Sequence, residues 1–362
     1  VSLPYSAFDR GMMRRALALA ERGLYTTTPN PRVGCVITQG ERVVGEGWHE
    51  HAGAPHAEVH ALRAAGSAAR GATAYLNLEP CSHHGRTPPC ADALIGAGVA
   101  RVVAAMRDPN PEAARGGDRL RAAGVRFECG LIEDEARELN IGFVSRVTRG
   151  RPWVRMKVAA TLDGRTALAD GASQWITGID ARRDGHRWRA RACALLTGIG
   201  TLRADDPQLT VRGVDTPRQP LRVVVDSRLE TPAGARILQG GGTLLFCAVD
   251  DRARRAALQE RGAEIVLLPN AGGKVELPAM LAELARRGVN ELHVEGGFKL
   301  NGSLVREGCV DELLLYLAPS FLGGSALGML NLDAFASLDE RLRVAIRSAD
   351  RVGDDLRIIA RL

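Results

Sequence analysis

The chain has 362 residues, 45% of them hydrophobic and 25% charged, with a formal net charge of +6. At roughly 150 residues per domain this length suggests two domains, each large enough to bury its own core. The composition excludes wholesale disorder, and no apolar run reaches the ~18 residues a membrane helix needs. The richest, Leu313–Leu317, has the length of a strand.

The positive charge is dispersed. Residues 1–150 hold 18 Arg and Lys against 16 Asp and Glu, and residues 151–362 hold 30 against 26, so neither half is a basic lobe. With only 4% aromatic residues there are few base-stacking platforms, and a nucleic-acid partner is not expected. No membrane partner is expected either; a homo-oligomer is left open. Val1–Arg22 mixes charged with apolar residues and shows no signal-peptide core. Seven cysteines, odd in number and mostly far apart, read as reduced thiols of a cytoplasmic chain.

In chain order, Arg14–Glu21 predicts a helix, followed by a hairpin of Val33–Thr38 and Arg42–Gly45 around Gln39-Gly40-Glu41. Helix Ala57–Ala65, strand Ala74–Leu78, helix Ala91–Ala97 and strand Val102–Ala105 come next. Helix Asp118–Ala123, strand Val125–Glu128 and helix Glu133–Val144 complete the first half. The polar, basic stretch Val144–Pro152 reads as the domain boundary. Strands are then expected at Trp153–Ala159, Ala194–Thr197, Leu221–Asp226, Thr243–Cys247, Glu264–Leu268, Glu291–Glu295 and Leu313–Leu317, with helices at Asp180–Ala192, Arg252–Arg261 and Pro278–Arg287. Strands alternating with helices argue for α/β domains in both halves.

Six of the eight histidines fall between His49 and His84. Within that window stand His56, Glu58 and Cys81, with Cys90 following. Two thiolates and an imidazole suit Zn²⁺ and leave a fourth position for water. Glu58, two residues past His56 at an expected helix start, is placed to carry protons in hydrolysis. A His-x-Glu followed by Pro-Cys and a second cysteine is the pattern of zinc deaminases, although here eight residues separate Cys81 and Cys90. A purely structural zinc site, closed by His83 or His84, is the alternative.

Three segments carry a closer resemblance: TPNPRVGCVI (Pro29–Ile37 with Thr28 before it), GEGWHEHAGAPHAEVHAL (Gly45–Leu62) and LEPCSHHGRTPPC (Leu78–Cys90). They resemble the deaminase domain of the bacterial riboflavin-biosynthesis RibD family, in which the long cysteine spacing is a family feature. The resemblance implies zinc on His56, Cys81 and Cys90 and a proton shuttle at Glu58. It places deaminase substrate contacts on Asn30, His49, His83, Arg86, Asp108 and Asn110. The chain departs from the family at DPNPEAARGGD, which is one residue short.

In the second half, two glycine-bearing turns after strands, Thr197–Thr201 and Gly296–Ser303, are suggestive of phosphate binding. The segments MKVAATLDGRTA, SQWITG, ARRDGHRWRA, GIGTLRADDPQLTVR, VVVDS and VEGG are similar to the reductase domain of the same family. That likeness implies NADPH contacts at Ala159, Trp175, Thr201, Asp205, Ser227, Gly297, Phe298, Lys299, Leu300, Asn301, Gly302 and Ser303. It implies substrate contacts at Ser173, Arg189, Leu209, Arg212 and Glu295.

The expectation is therefore a cytidine-deaminase-like three-layer α/β domain at 1–147, followed by a dihydrofolate-reductase-like α/β domain at 148–362. Together they would form a bifunctional enzyme with Zn²⁺ and NADPH as cofactors and phosphoribosyl pyrimidines as substrates. The first domain would hydrolyse a ring amine and the second would reduce the ribosyl group. A nucleic-acid deaminase and a non-enzymatic module with structural zinc are the rival readings.

Overall fold

The computed structural model describes residues 5–83 and 89–362. The chain divides into two compact units, Val1–Gly150 and Arg151–Leu362.

The first unit is built from α1 (Ala7–Glu21), β1 (Gly34–Gln39), β2 (Arg42–Trp48), α2 (Ala57–Ala65), β3 (Thr73–Leu76), α3 (Cys90–Gly96), β4 (Arg101–Ala104), α4 (Gly116–Ala122), β5 (Arg126–Cys129), α5 (Glu133–Leu139) and α6 (Ile141–Arg149). Helix α1 begins a full two turns before the sequence pattern suggested. Ser6 and Asp9 form a reciprocal capping box, Asp9 N–H donating to Ser6 Oγ at 3.0 Å and Ser6 N–H to Asp9 Oδ2 at 2.9 Å. Residues 144–149, read from sequence as boundary, form the second half of α6, whose end is closed by Gly150 at φ +67°.

Five strands form one sheet in the order β2-β1-β3-β4-β5, with β1 antiparallel to β2 and β3, and β3, β4 and β5 parallel. Alternation along the strands divides the core into two layers. Cys35, Ile37, Ala74, Leu76, Val102 and Ala104 face α2, α3 and α4. Val36, Tyr75 and Val103 face Met13, Ala16 and Leu17 of α1 and Ala136 of α5. The result is three layers.

Helix α2 lies in backbone contact with β2. A Cβ on Gly45 would come 2.1 Å from the Ala61 carbonyl oxygen, and one on Gly47 would come 2.6 Å from that of Ala57. These two glycines bring the start of α2, and with it His56 and Glu58, down onto the sheet.

The second unit contains β6 (Trp153–Thr161), β7 (Arg165–Ala167), α7 (Ile179–Arg191), β8 (Ala194–Gly198), α8 (Ile199–Asp205), β9 (Leu221–Val225), β10 (Thr243–Cys247), α9 (Arg252–Glu260), β11 (Ala263–Leu267), α10 (Leu277–Arg286), β12 (Glu291–Val294), α11 (Phe298–Arg306), β13 (Glu312–Ala318), β14 (Leu327–Gly328), β15 (Ala345–Val352) and β16 (Asp355–Arg361). Its main sheet has nine strands in the order β11-β10-β9-β8-β12-β6-β13-β16-β15. The first seven run parallel, and β16 and β15 add an antiparallel hairpin at one edge. Continuous apolar runs such as Leu244–Cys247 follow from burial on both faces. One face packs on α10 and α11; the other packs on α8 and α9.

A charged layer interrupts that second face. Arg155, fully buried on β6, pairs with Glu291 on β12 at 3.1 Å and with Glu312 on β13, and its guanidinium lies 4.4 Å from the Trp188 ring.

Candidate active sites

In the first unit, His56 is the extended residue immediately before α2, and Cys90 is the first residue of α3. Cys81 stands in the segment after β3. The donor atoms of these three residues all lie within 4.8 Å of one another. His56 Nδ1 is 3.2 Å from Cys90 Sγ and 3.7 Å from Cys81 Sγ, and the Cys90 backbone N–H points at Cys81 Sγ at 3.4 Å. Two sulfurs and one imidazole nitrogen form a donor set suited to zinc. Among the described residues no fourth His, Cys, Asp or Glu joins the group, and His83 stands outside it; His84 and Arg86 lie outside the described residues.

Glu58, in the first turn of α2, is 3% exposed, and its Oε2 has no hydrogen-bond partner. Burial pushes its pKa up, partly opposed by His56. The Cys81 thiol is held well below the usual range, first by a hydrogen bond from Cys90 and then by His56, whereas the hydrogen bond to Cys81 and burial push Cys90 up.

Asn30 and His49 meet beside this group. Asn30 Nδ2–H donates to His49 Nε2 at 3.0 Å, and His49 Nδ1–H donates to the Pro55 carbonyl at 3.1 Å. Burial holds the His49 pKa down, so the ring is neutral, and it stands edge-on to His56 at 5.4 Å.

Asp108 and Asn110 lie on the loop after β4. Asp108 is buried and its pKa rises to about 6, chiefly through desolvation; its Oδ1 accepts the Asn110 N–H at 2.9 Å.

In the second unit the sequence candidates gather at the C-terminal ends of parallel strands, where open α/β sheets bind ligands. Ala159 lies near the end of β6, and Ser227 follows β9; the Ser227 hydroxyl accepts the Val275 N–H at 3.2 Å. Thr201 and Asp205 are on α8, after β8. Gly297 caps α11, which carries Phe298 to Ser303, after β12. The two glycine-bearing turns adjoin, since a Cβ on Gly198 would come 3.0 Å from Leu300 Cδ2 and one on Gly297 would come 3.2 Å from Thr201 Oγ1. Asn301 Oδ1 is buried without a partner in that turn.

Arg189 on α7 donates to Glu295 through Nε at 2.5 Å and Nη2 at 2.8 Å, and through Nη1 to the Thr210 carbonyl at 3.0 Å. Burial pushes the Glu295 pKa up, but the charge and hydrogen bonds of Arg189 outweigh it and hold the carboxyl well below the usual range. Leu209, at φ +49°, turns the loop so that Arg212 Nη1 meets Thr210 Oγ1 at 3.1 Å. Ser173 and Trp175 lie between β7 and α7; Trp175 is 70% exposed, with the Arg182 guanidinium 4.7 Å from its ring.

Two residues outside the sequence candidates join this cluster. His186 Nδ1 accepts the Arg212 N–H at 3.1 Å. Lys157 on β6 has its pKa pushed down by burial, against the opposing charge of Glu295. Period-2 alternation puts Lys157 on the same face as Arg155, a signal available from the strand pattern alone.

Residues 6–106 match the cytidine and deoxycytidylate deaminase zinc-binding region, and residues 152–357 match the RibD C-terminal domain. The riboflavin biosynthesis protein RibD of Escherichia coli K12 is 46% identical over 361 residues, covering 96% of this chain and 98% of that protein. The chain belongs to the RibD family. The Aquifex aeolicus RibD is 40% identical over 96% of this chain. Among solved structures, Acinetobacter baumannii RibD (form 1) superposes with a TM-score of 0.91 at 42% identity, covering 98% of each chain. A Thermotoga maritima diaminohydroxyphosphoribosylaminopyrimidine deaminase/5-amino-6-(5-phosphoribosylamino)uracil reductase superposes with a TM-score of 0.87 at 30% identity. The two units are thus a cytidine-deaminase-like domain and a RibD reductase domain of the dihydrofolate-reductase-like fold, in a bifunctional deaminase/reductase of riboflavin biosynthesis. No helix among the described residues is long and apolar enough to cross a membrane.

Proposed function

We propose that the first unit of this RibD-family chain hydrolyses 2,5-diamino-6-(5-phosphoribosylamino)pyrimidin-4-one to the uracil with release of ammonia. The second unit then reduces the ribosylamino group of 5-amino-6-(5-phosphoribosylamino)uracil to ribitylamino with NADPH. The observation that supports the reading most is the convergence of His56, Cys81 and Cys90 beside a buried carboxyl with an unpartnered oxygen.

His56, Cys81 and Cys90 would hold zinc, which when bound supplies the Lewis acidity that makes water a competent nucleophile near neutral pH. Glu58, its pKa raised by burial, takes a proton from the attacking water at its free Oε2. It returns that proton to a ring nitrogen and then carries one to the departing amine, a role worth roughly 10²–10⁴ in rate. Asn30 is oriented by its bond to His49, leaving its carbonyl oxygen to meet the pyrimidine edge. Asp108 and Asn110 bind the same substrate from the loop after β4.

In the second unit NADPH supplies the hydride delivered to C1′ of the sugar. The start of α11 after Gly297 offers the backbone N–H groups of Phe298, Lys299 and Leu300 to the cofactor phosphates. Arg189, fixed by Glu295 and the Thr210 carbonyl, and Arg212 provide rigid donors for the substrate phosphate. The seven free thiols suit a cytoplasmic setting.

The test is product identification with and without NADPH. Ammonia release must proceed without NADPH, and Glu58→Gln must abolish it while zinc content and NADPH oxidation on the deaminated substrate persist. Loss of both activities in a folded Glu58→Gln protein would refute two independent sites.

A further inference from the structure

Glu79 lies two residues before Cys81, and its side chain is 1% exposed. Its carboxylate accepts three donors. Oε1 takes Arg107 Nη1–H at 2.9 Å and the Gly117 N–H at 2.8 Å, and Oε2 takes the Asp108 N–H at 3.2 Å. Two of the donors, Arg107 and Asp108, belong to the loop that carries Asp108 and Asn110, the third is in the first turn of α4 where that loop ends, and Asp108 in turn holds Asn110 through its N–H.

A second latch sits on the other side of Cys81. The Ser82 N–H donates to the Ala113 carbonyl at 3.0 Å, and the Ser82 hydroxyl donates to the Ala114 carbonyl at 2.5 Å. Between the latches Gly116 packs so closely on the Pro80 carbonyl oxygen that a Cβ there would come within 1.7 Å. What fixes the loop is the Glu79–Ser82 segment that also carries Cys81.

We infer that Glu79 is a positioning residue for deamination, registering the Asp108–Asn110 loop against Cys81 so that one buried carboxylate sets substrate recognition relative to the metal site. The inference rests on Asp108 and Asn110 contacting the substrate. A glutamine at this position retains the shape, but its amide N–H₂ faces a donor where an oxygen is needed, and one of the three bonds fails. The loop shifts while Cys81 stays in its segment. The effect belongs in KM, because misplacement of a binding group costs affinity and orientation before it costs the metal.

The experiment is a double-mutant cycle on the full-length zinc-loaded chain with the diaminopyrimidine phosphoribosyl substrate, comparing Glu79→Gln, Asn110→Ala and the double variant. Zinc content and melting temperature are read for each. Glu79→Gln should raise KM for deamination about 10- to 100-fold, with zinc content unchanged and kcat within about threefold. The double variant should be no worse than the more affected single variant, since coupled residues are non-additive. Ser82→Ala should raise KM in the same direction by a smaller factor.

Additive KM effects in the cycle overturn the role of Glu79, as does zinc loss that accounts for the lost turnover. If Asn110→Ala alone leaves KM unchanged, the substrate-contact reading of the loop fails first, and the inference with it. Should Glu79→Gln fail to fold, Ser82→Ala carries the test, and an unchanged KM in that variant overturns the inference.

Discussion

Arg189 and Glu295, 106 positions apart in the chain, meet in a two-bond ion pair with Nε on Oε1 at 2.5 Å and Nη2 on Oε2 at 2.8 Å. Both side chains are largely buried, at 16% and 18% exposure. Removing one partner strands the other charge in a dry site, which typically costs about 3–5 kcal/mol. Arg189→Met should therefore lower the stability of the reductase unit by that order and abolish NADPH oxidation. Arg189→Met/Glu295→Leu should regain part of the stability in chemical denaturation without regaining turnover. A double variant as unstable as the single one contradicts the ion-pair account.

The same pair sets an acid limit. The Glu295 carboxyl sits below its ordinary value of 4.5, so the stability it contributes is full above that pH and is lost only as pH falls through the lower folded value. Denaturant melts of the parent and of Glu295→Gln should thus keep a constant separation from pH 8 down to about 5 and converge only in stronger acid.

His186 acts in the same direction but in a higher pH window. Burial first, then the charges of Arg189 and Arg212, hold it at about 4 against an ordinary 6.5. The unfolded chain takes up this proton first, so stability falls as pH drops from 6.5 toward 4. His186→Asn keeps an acceptor for the Arg212 N–H but does not titrate. Its melting temperature should decline less between pH 7 and 5 than the parent's. His49 and His293, also lowered by burial, contribute in the same direction. Equal slopes in the two proteins would show that His186 is not set apart in this way.

Gly47 leaves no room for a side chain, since an added Cβ meets the His60 Cβ at 2.4 Å and the Ala57 carbonyl at 2.6 Å. Gly47→Ala forces α2 off β2 and should cost about 1–3 kcal/mol. The displacement reaches His56 and Glu58, so deamination should fall together with the first unit's melting temperature. NADPH oxidation on deaminated substrate should be unchanged. Wild-type deamination in this variant would mean that the contact does not locate the site.

Treatment with a strong zinc chelator should remove ammonia release and leave NADPH oxidation intact, with the former restored by zinc. Chelation that stops both activities points to a metal requirement in the reductase that its side chains do not suggest.

What could be read without coordinates was mostly local. His56, Glu58, Cys81 and Cys90 stand out because one short window holds them, and their chemistry follows from residue type and spacing. Helix α1 was read short because Ser6 and Asp9 are ordinary polar residues until their reciprocal bonds are seen. The hairpin of β15 and β16 was not anticipated. β15 lies at a sheet edge with most of its residues exposed, so it carries no alternating apolar pattern to betray a strand. The polar stretch Val144–Pro152 does contain the division between the two units, at Gly150 and Arg151, but its first part continues a helix because the apolar Ile141 and Phe143 anchor α6 into the core. In the second unit Arg189, Glu295 and Arg212 were legible only through resemblance. An arginine among 48 Lys and Arg carries no signal until the fold sets it against its partner. Lys157 was the exception, since the alternation of β6 already puts it on the face of Arg155.

The placement of the reductase residues at one rim of a seven-strand parallel array has a consequence for how such a scaffold changes over time. The hydrophobic filling lies along the strands and the helices that cover them, whereas several of the candidate ligand-binding groups, Thr201, Ser227 and Gly297 among them, sit on the connections that leave the strands. Those links can be exchanged, lengthened or recoded without repacking the interior, so a lineage built on this frame can acquire a new substrate by rewriting a few short connections.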